Sequence, residues 1–218
     1  MFLAIVTRPD IAFVVSHLSK FLNKHNQSHW QAVKRVFAYL IDSANVGIKY
    51  RRNKSKNELV GYTDADYASD LETLRSTTGY VFCMTNRPVT WSCQRQKLVT
   101  LSTTESEYVA AATAAKELIW SGTHRKLLSG IRCEKATVLH VDNQSKIKLV
   151  QNTEFHKRTK HIDIQYHYLR EKCDSNEIHI EYVSPKLQKA DILTKALSRN
   201  RFKELCESLS LVTKKTTY

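Results

Sequence analysis

A chain of 218 residues with 42% hydrophobic content can bury one proper core and a smaller annex, and its 25% charged residues are ordinary for a globular protein. The balance of sign is not ordinary: 34 Lys and Arg against 21 Asp and Glu give a formal charge of +13, which suits a polyanionic partner. Five scattered cysteines (Cys83, Cys93, Cys133, Cys173, Cys206) without a CxxC pair, no signal peptide, and no run near the ~18–20 apolar residues that cross a bilayer argue against a disulfide scaffold, a secreted protein and a membrane span.

The first fifty residues predict two helices. Met1 to Val6 is apolar with no basic leader and reads as the start of a packed helix or a truncated one. Pro9 suits a first helical turn, and Ile11, Val14, Val15, Leu18 and Leu22 recur at helical spacing. Ser28 is placed to cap a second helix whose apolar face carries Trp30, Val33, Phe37 and Leu40. A basic run from Lys49 to Lys56 then reads as a linker or a phosphate-facing loop.

From Glu58 the pattern changes to strands. Leu59 to Thr63 predicts a strand ending in Asp64; Gly79–Met84 and Val89–Ser92 predict two more around a turn at Thr85 to Pro88. Ser102 or Thr103 can cap a long helix to about Leu128, alanine-rich between Ala110 and Ala115. A strand from Thr137 to Val141 ends at Asp142, with a helix from Asn143 to Val150 after it. The basic stretch Phe155 to His161 leads into an amphipathic helix through Tyr168 and Leu169. A strand from Ile178 to Val183 precedes a last helical region containing Asp191. Strands and helices interleaved this way predict a mixed α/β domain.

Two strand ends carry an aspartate, Asp64 and Asp142, where open α/β sheets place ligand chemistry. Glu105 and Glu107 lie on the long helix, and Asp191 opens the last helical region. Taken singly, each has an ordinary explanation: Asp142 as a helix cap, Asp191 as a first-turn acid facing the helix dipole, Glu105 or Glu107 as the partner of a lysine. Carboxylates brought together repel unless a cation neutralises them, and Mg²⁺ favours a few carboxylates plus water and phosphate oxygens. Spacing alone does not choose between these readings.

A series of motifs does. Gly61–Ala68 followed by Ser76–Tyr80, then Trp91–Gln96 and Leu101–Tyr108, then Val141–Ser145, Phe155–Asp163 and Gln188–Lys195 resemble, in order, the blocks of copia-type retrotransposon RNase H domains. Thr7–Ala12 and His29–Arg35 resemble the segment between polymerase and RNase H in the same Pol polyproteins, whereas the polymerase's own paired-aspartate motif is absent. The resemblance implies a helical remnant of the reverse transcriptase thumb or connection at 1–50, a basic linker at 51–57, an RNase H-like domain at 58–212 and a tail at 213–218. The implied fold is a mixed five-stranded sheet flanked by helices, with the small helical segment before it. The chain would then be the C-terminal end of a longer polyprotein, without polymerase activity of its own.

The implied activity is hydrolysis of the RNA strand of RNA–DNA hybrids, assisted by two Mg²⁺ ions, or Mn²⁺ in their place. Asp64, Glu107, Asp142 and Asp191 match the family's four metal-holding acids; Glu105, two residues before Glu107, points to another side of the helix. Asp66, Asp70 and Asp163 read as loop or capping residues. For the hybrid's backbone, His156, Lys157, Arg158, Lys160 and His161 form the leading candidate clamp, with Gln94, Arg95, Gln96 and Asn143 as further contacts and Lys97 and Thr77 beside them. Trp91 reads as core. No histidine stands shortly before Asp191, and His179 is too far back, so no general-base histidine is assigned. Expected partners are the hybrid and the reverse transcriptase portion of the parent polyprotein, with no membrane; the expected location is cytoplasmic, in virus-like particles, or nuclear. Two rival readings are a nucleic-acid-binding fragment that does not cut, and a piece active only beside its polymerase. Leu74, where relatives carry arginine, and Thr85-Asn86-Arg87, in place of a glycine-rich turn, depart from the family, and the second is expected to strain its hairpin.

Overall fold

The structure, a computed structural model, describes residues 1–50, 58–129, 136–143 and 160–213, with the backbone alone for 123–129, 160–163 and 166. The basic run at 51–57 and the clamp residues His156, Lys157 and Arg158 therefore lie outside the described residues, as does the helix expected after Asn143.

The N-terminal segment folds as α1 (Phe2–Val6), a 3₁₀ turn (Pro9–Ile11), α2 (Ala12–Ser19) and α3 (Gln27–Asp42), followed by a short strand β1 (Val46–Ile48) that sequence periodicity does not reveal. Asn26, not Ser28, caps α3. Its side chain accepts from the His29 amide, His29 Nδ1 accepts from the Asn26 amide, and the Ser28 hydroxyl donates to Asn26. The apolar face expected of α3 is not buried, since Trp30 and Phe37 are 51% and 60% exposed. Leu22 lies beyond the end of α2 and is exposed too.

Behind this segment stands a five-stranded mixed sheet. Strands β2 (Leu59–Asp66), β3 (Thr77–Met84) and β4 (Arg87–Arg95) form an antiparallel meander; β5 (Thr137–Val141) and β6 (Ile178–Tyr182) join in parallel on the far side of β2. The order is β4-β3-β2-β5-β6. The turn between β3 and β4 is only Thr85 and Asn86, and Pro88 belongs to the strand. Proline is tolerated there because β4 is an edge strand.

Both faces of the sheet are covered, which is why β3 reads as a continuous apolar run rather than an alternating one. Tyr80 and Phe82 pack on one side with α4 (Thr103–Ser129) and α5 (Lys160–Asp174), against Tyr108, Ala111, Ala114, Ala115, Leu118 and Leu169. The alanines of α4 let its backbone lie close to the sheet. Val81 and Cys83 point to the opposite side, where Ile192 and Leu193 cover them together with Leu205 and Leu209 of α6 (Arg199–Ser208) and its neighbourhood.

The N-terminal segment is tied to this second core. Ala12 is part of it, the Trp91 indole donates to the Ala4 carbonyl at 2.7 Å, and β1 pairs antiparallel with β7 (Leu211–Thr213). A buried network fixes the tie from inside: the Arg8 guanidinium donates to both oxygens of Asp10 and to Ser43, and the Tyr39 hydroxyl donates to Asp10. Among the described residues, no helix is long and apolar enough to cross a membrane.

Candidate metal centre

Strand pairing sets the first two acids. β2 and β5 run parallel with Tyr62 opposite His140, so two residues further on Asp64 and Asp142 stand level at the same edge. Asp191 arrives from elsewhere. A 3₁₀ segment, Lys189–Leu193, crosses β3 at Gly79, where an added Cβ would meet Thr194 Cγ2 at 2.6 Å and Leu193 Cβ at 2.9 Å. Buried Gln188 fixes its entry, its amide donating to the Thr63 carbonyl at 2.9 Å while its oxygen accepts from Ala190 N–H at 3.2 Å. The result is that one carboxylate oxygen each of Asp64, Asp142 and Asp191 lies within 4.8 Å of the other two.

Asp64 is fully buried. Burial pushes its carboxyl above the ordinary carboxylate range, Asp142 and Asp191 push the same way, and the Lys195 ammonium and Thr194 hydroxyl pull against them. Lys195 Nζ lies 3.1 Å from Asp64 Oδ1 and 3.0 Å from Asp191 Oδ1, while the Thr194 hydroxyl donates to Asp64 Oδ2. Burial would lower the Lys195 ammonium, but the two carboxylates raise it. Arg201 reaches Asp191 Oδ2 at 3.3 Å while also donating to the carbonyls of Pro185 and Lys186.

Glu107 sits half-buried near the start of α4 and is not among the three acids whose oxygens converge. Glu105 instead caps its own helix. Ser102 Oγ accepts from the Glu105 amide and the Glu105 carboxylate accepts from Leu101 N–H at 2.6 Å, a reciprocal cap on α4. Asp70 orders its own loop, accepting from the amides of Glu72 and Thr73 and pairing with Arg95 at 2.6 Å.

The proposed hybrid contacts separate. Gln94 and Arg95 are exposed at the end of β4, and Asn143 is half-buried beside Asp142. Lys160 and His161 open α5. Gln96 does not belong with them: it is 5% exposed and its amide donates to Thr78 Oγ1 and to the Ser106 carbonyl, so it joins β3 to α4 instead of facing a ligand. Thr194, Lys195, Gln188 and Gly79 lie inside the matched blocks but receive no role from periodicity or motif; the signal for them is the Thr-Lys pair closing the last motif and a glycine inside an apolar strand.

Strand order, two level aspartates on neighbouring parallel strands and a third acid carried across β3 define the expected α/β class, an RNase H-like mixed sheet with flanking helices. The chain is 41% identical over 209 residues, 96% of its length, to the retrovirus-related Pol polyprotein from transposon TNT 1-94 of Nicotiana tabacum, and 37% identical over 94% of its length to that from transposon RE1 of Arabidopsis thaliana. These homologues are retrovirus-related Pol polyproteins of plant copia-type transposons, and the chain spans 15% and 14% of the length of the two. A stretch of 120 residues, 55% of the chain, is 44% identical to secreted RxLR effector protein 161 of Plasmopara viticola and covers 84% of it. No protein-family model matches. Solved structures similar to the chain include the N-terminal RNase H domain of a Mycobacterium tuberculosis protein (13% identity, TM-score 0.46, 70% of this chain and 99% of that one) and RNase H1 of Halobacterium salinarum (16%, 0.46, 63% and 94%). Overlaps this loose decide nothing about chemistry.

Proposed function

We propose that this chain is a metal-dependent endonuclease that hydrolyses the RNA strand of RNA–DNA hybrids, leaving 3′-hydroxyl and 5′-phosphate ends, and that it removes template RNA during reverse transcription. The observation that carries the reading is the convergence of Asp64, Asp142 and Asp191 from three separate elements. The donor set fits a hard divalent cation: three carboxylates, one fully buried and held above its usual range by burial and its acidic neighbours, form a site that calls for positive charge.

Asp64, Asp142 and Asp191 would hold Mg²⁺ or Mn²⁺, with Glu107 of α4 as a fourth donor. Such ions supply an activated water and charge neutralisation at the leaving oxygen. The protein's own part is positioning. Parallel pairing of β2 with β5 fixes two carboxylates against each other, and Thr194 and Arg201 orient the outer oxygens of Asp64 and Asp191. Gln94, Arg95, Asn143, Lys157, Arg158, Lys160 and His161, within a chain of +13 net charge, would hold the phosphates of the two strands.

The test is a labelled hybrid incubated with the 218-residue chain in Mg²⁺ and in EDTA, with Asp64→Asn alongside and single-stranded RNA as a second substrate. Cleavage of the hybrid alone, only by the wild type and only with Mg²⁺, is expected. Intact hybrid in Mg²⁺ with a persistent gel shift would replace the enzyme reading by one of simple binding.

A further inference from the structure

Two carboxylates of the acid cluster are already bridged by a cation that belongs to the chain. Lys195 Nζ lies 3.1 Å from Asp64 Oδ1 and 3.0 Å from Asp191 Oδ1, so one ammonium spans acids 127 positions apart in sequence, from 64 to 191. The remaining oxygens on these two residues are engaged as well, Asp64 Oδ2 by the Thr194 hydroxyl and Asp191 Oδ2 by Arg201. Asp64 and Asp191 thus have all four carboxylate oxygens engaged by donors of the chain itself, beside the further negative charge of Asp142. The Lys195 side chain is 36% exposed, so its head has a way out to water. It sits four residues after Asp191, two beyond the end of the element that carries that acid over β3.

We propose that Lys195 is the internal counter-cation of the metal site: its ammonium holds Asp64 and Asp191 together when no ion is bound, and leaves when one enters. This rests on the proposed metal site. It makes Lys195 a positioning residue that sets the affinity for the divalent ion. An ammonium hydrogen-bonded to both carboxylates competes for the oxygens a divalent ion would take at about 2.0–2.1 Å, and ion and ammonium repel each other at that range. A flexible four-carbon stem carrying a compact, strongly hydrated charge can make the exchange, where the rigid fork of an arginine could not. Arg201, held by the carbonyls of Pro185 and Lys186, stays in place and keeps Asp191 oriented while Lys195 moves.

The experiment is a Mn²⁺ titration, followed by electron paramagnetic resonance, of the full chain as wild type, Lys195→Met and Lys195→Gln, without nucleic acid, paired with thermal unfolding in EDTA and in Mg²⁺. Removing the ammonium is expected to tighten Mn²⁺ binding about tenfold, the scale on which groups touching metal ligands act. The same variants should unfold at a lower temperature in EDTA and regain more than the wild type does when Mg²⁺ is added. If Lys195→Met does not fold, Lys195→Gln keeps the stem and a hydrogen-bonding head. The wild type also answers by itself: the Lys195 Nζ signal in ¹⁵N NMR must lose its protection from solvent exchange as Mg²⁺ is added. Equal or weaker Mn²⁺ binding in the variants overturns the role of Lys195 and leaves the metal site standing. No Mn²⁺ binding to any of the three overturns both.

Discussion

Gly79 of β3 lies directly opposite Asp64 of β2, and the segment bearing Asp191 crosses over it with no room for a methyl group. The glycine is the gap through which the third acid reaches the first. A Cβ there would lie 2.6 Å from Thr194, 2.9 Å from Leu193 and 3.3 Å from the Ala190 carbonyl, atoms of backbone or short side chains that cannot swing aside. Gly79→Ala is therefore expected to cost about 1–3 kcal/mol, the usual toll of overpacking. It should reduce cleavage more than stability predicts, because the displaced element carries Asp191, Thr194 and Lys195. Denaturant unfolding and hybrid cleavage measured on the same preparation test this; wild-type values for both would show that the crossing has slack.

Asp64→Asn should separate stability from function. Burial raises the Asp64 pKa in the folded chain above its unfolded value of roughly 3.9. A group shifted in that direction contributes stability that is fully present below the unfolded value and is lost as pH rises through the folded one. Without metal, ionising Asp64 in the folded chain costs stability, and the amide removes that cost. In EDTA the variant should unfold at or above the wild-type temperature, its advantage growing from pH 4 to pH 7. Cleavage in Mg²⁺ should fall by at least about a hundredfold, since even groups behind metal ligands are worth 10–100-fold. An advantage that shrinks with rising pH would contradict the assignment of burial as the leading cause.

Much of the fold is legible in the chain because local chemistry and tertiary need agree. Thr137–Val141 is a strand both by pattern and in the fold, and Ser102 caps α4 as its hydroxyl suggests. Asp64 and Asp142 stand out because each follows an apolar strand pattern, although β2 runs on past Asp64 to Asp66. What periodicity cannot give is what depends on distant contacts. Strand β1 is three residues long and exists through its pairing with β7. Phe37 and Trp30 keep helical spacing yet face solvent, since no described element covers them. Gln96 resembles a nucleic-acid contact because it is polar and precedes α4, but burial turns it inward. Lys195 closes a motif with no evident role of its own, because nothing in its neighbours shows that residue 64 is within reach.

Gln96 is a tie between sheet and helix. Its amide joins Thr78 of β3 at 3.0 Å to the Ser106 carbonyl of α4 at 2.7 Å, so Gln96→Ala removes a buried donor that ties strand to helix. A loss of about 1–3 kcal/mol in unfolding free energy is expected. Hybrid binding, measured as affinity against salt concentration, should keep its slope, because no phosphate contact disappears. A shallower slope with unchanged stability would restore the surface role.

The hairpin between β3 and β4 carries strain that can be relieved. Met84 pairs with Arg87, so Thr85 and Asn86 form a two-residue loop, and both have left-handed backbones with φ of 50° and 62°. That is the geometry of a type I′ turn, which asparagine tolerates and a β-branched residue does not. Threonine there costs roughly 1–2 kcal/mol for an L-residue in the left-handed region. Glycine removes that strain, at an entropic cost of roughly 0.5–1 kcal/mol. The Thr85 hydroxyl donates only to the neighbouring Met84 carbonyl at 2.7 Å, so little is lost with it. Thr85→Gly should stabilise the chain by about 0.5–1 kcal/mol in denaturant unfolding, with Mg²⁺-dependent cleavage unchanged because the turn lies at the opposite end of β3 from Gly79 and the acids. Thr85→Val, which keeps the branched Cβ and drops the hydroxyl, serves as the control and should gain nothing. Equal effects of the two substitutions would assign the strain to the hydroxyl and not to the backbone.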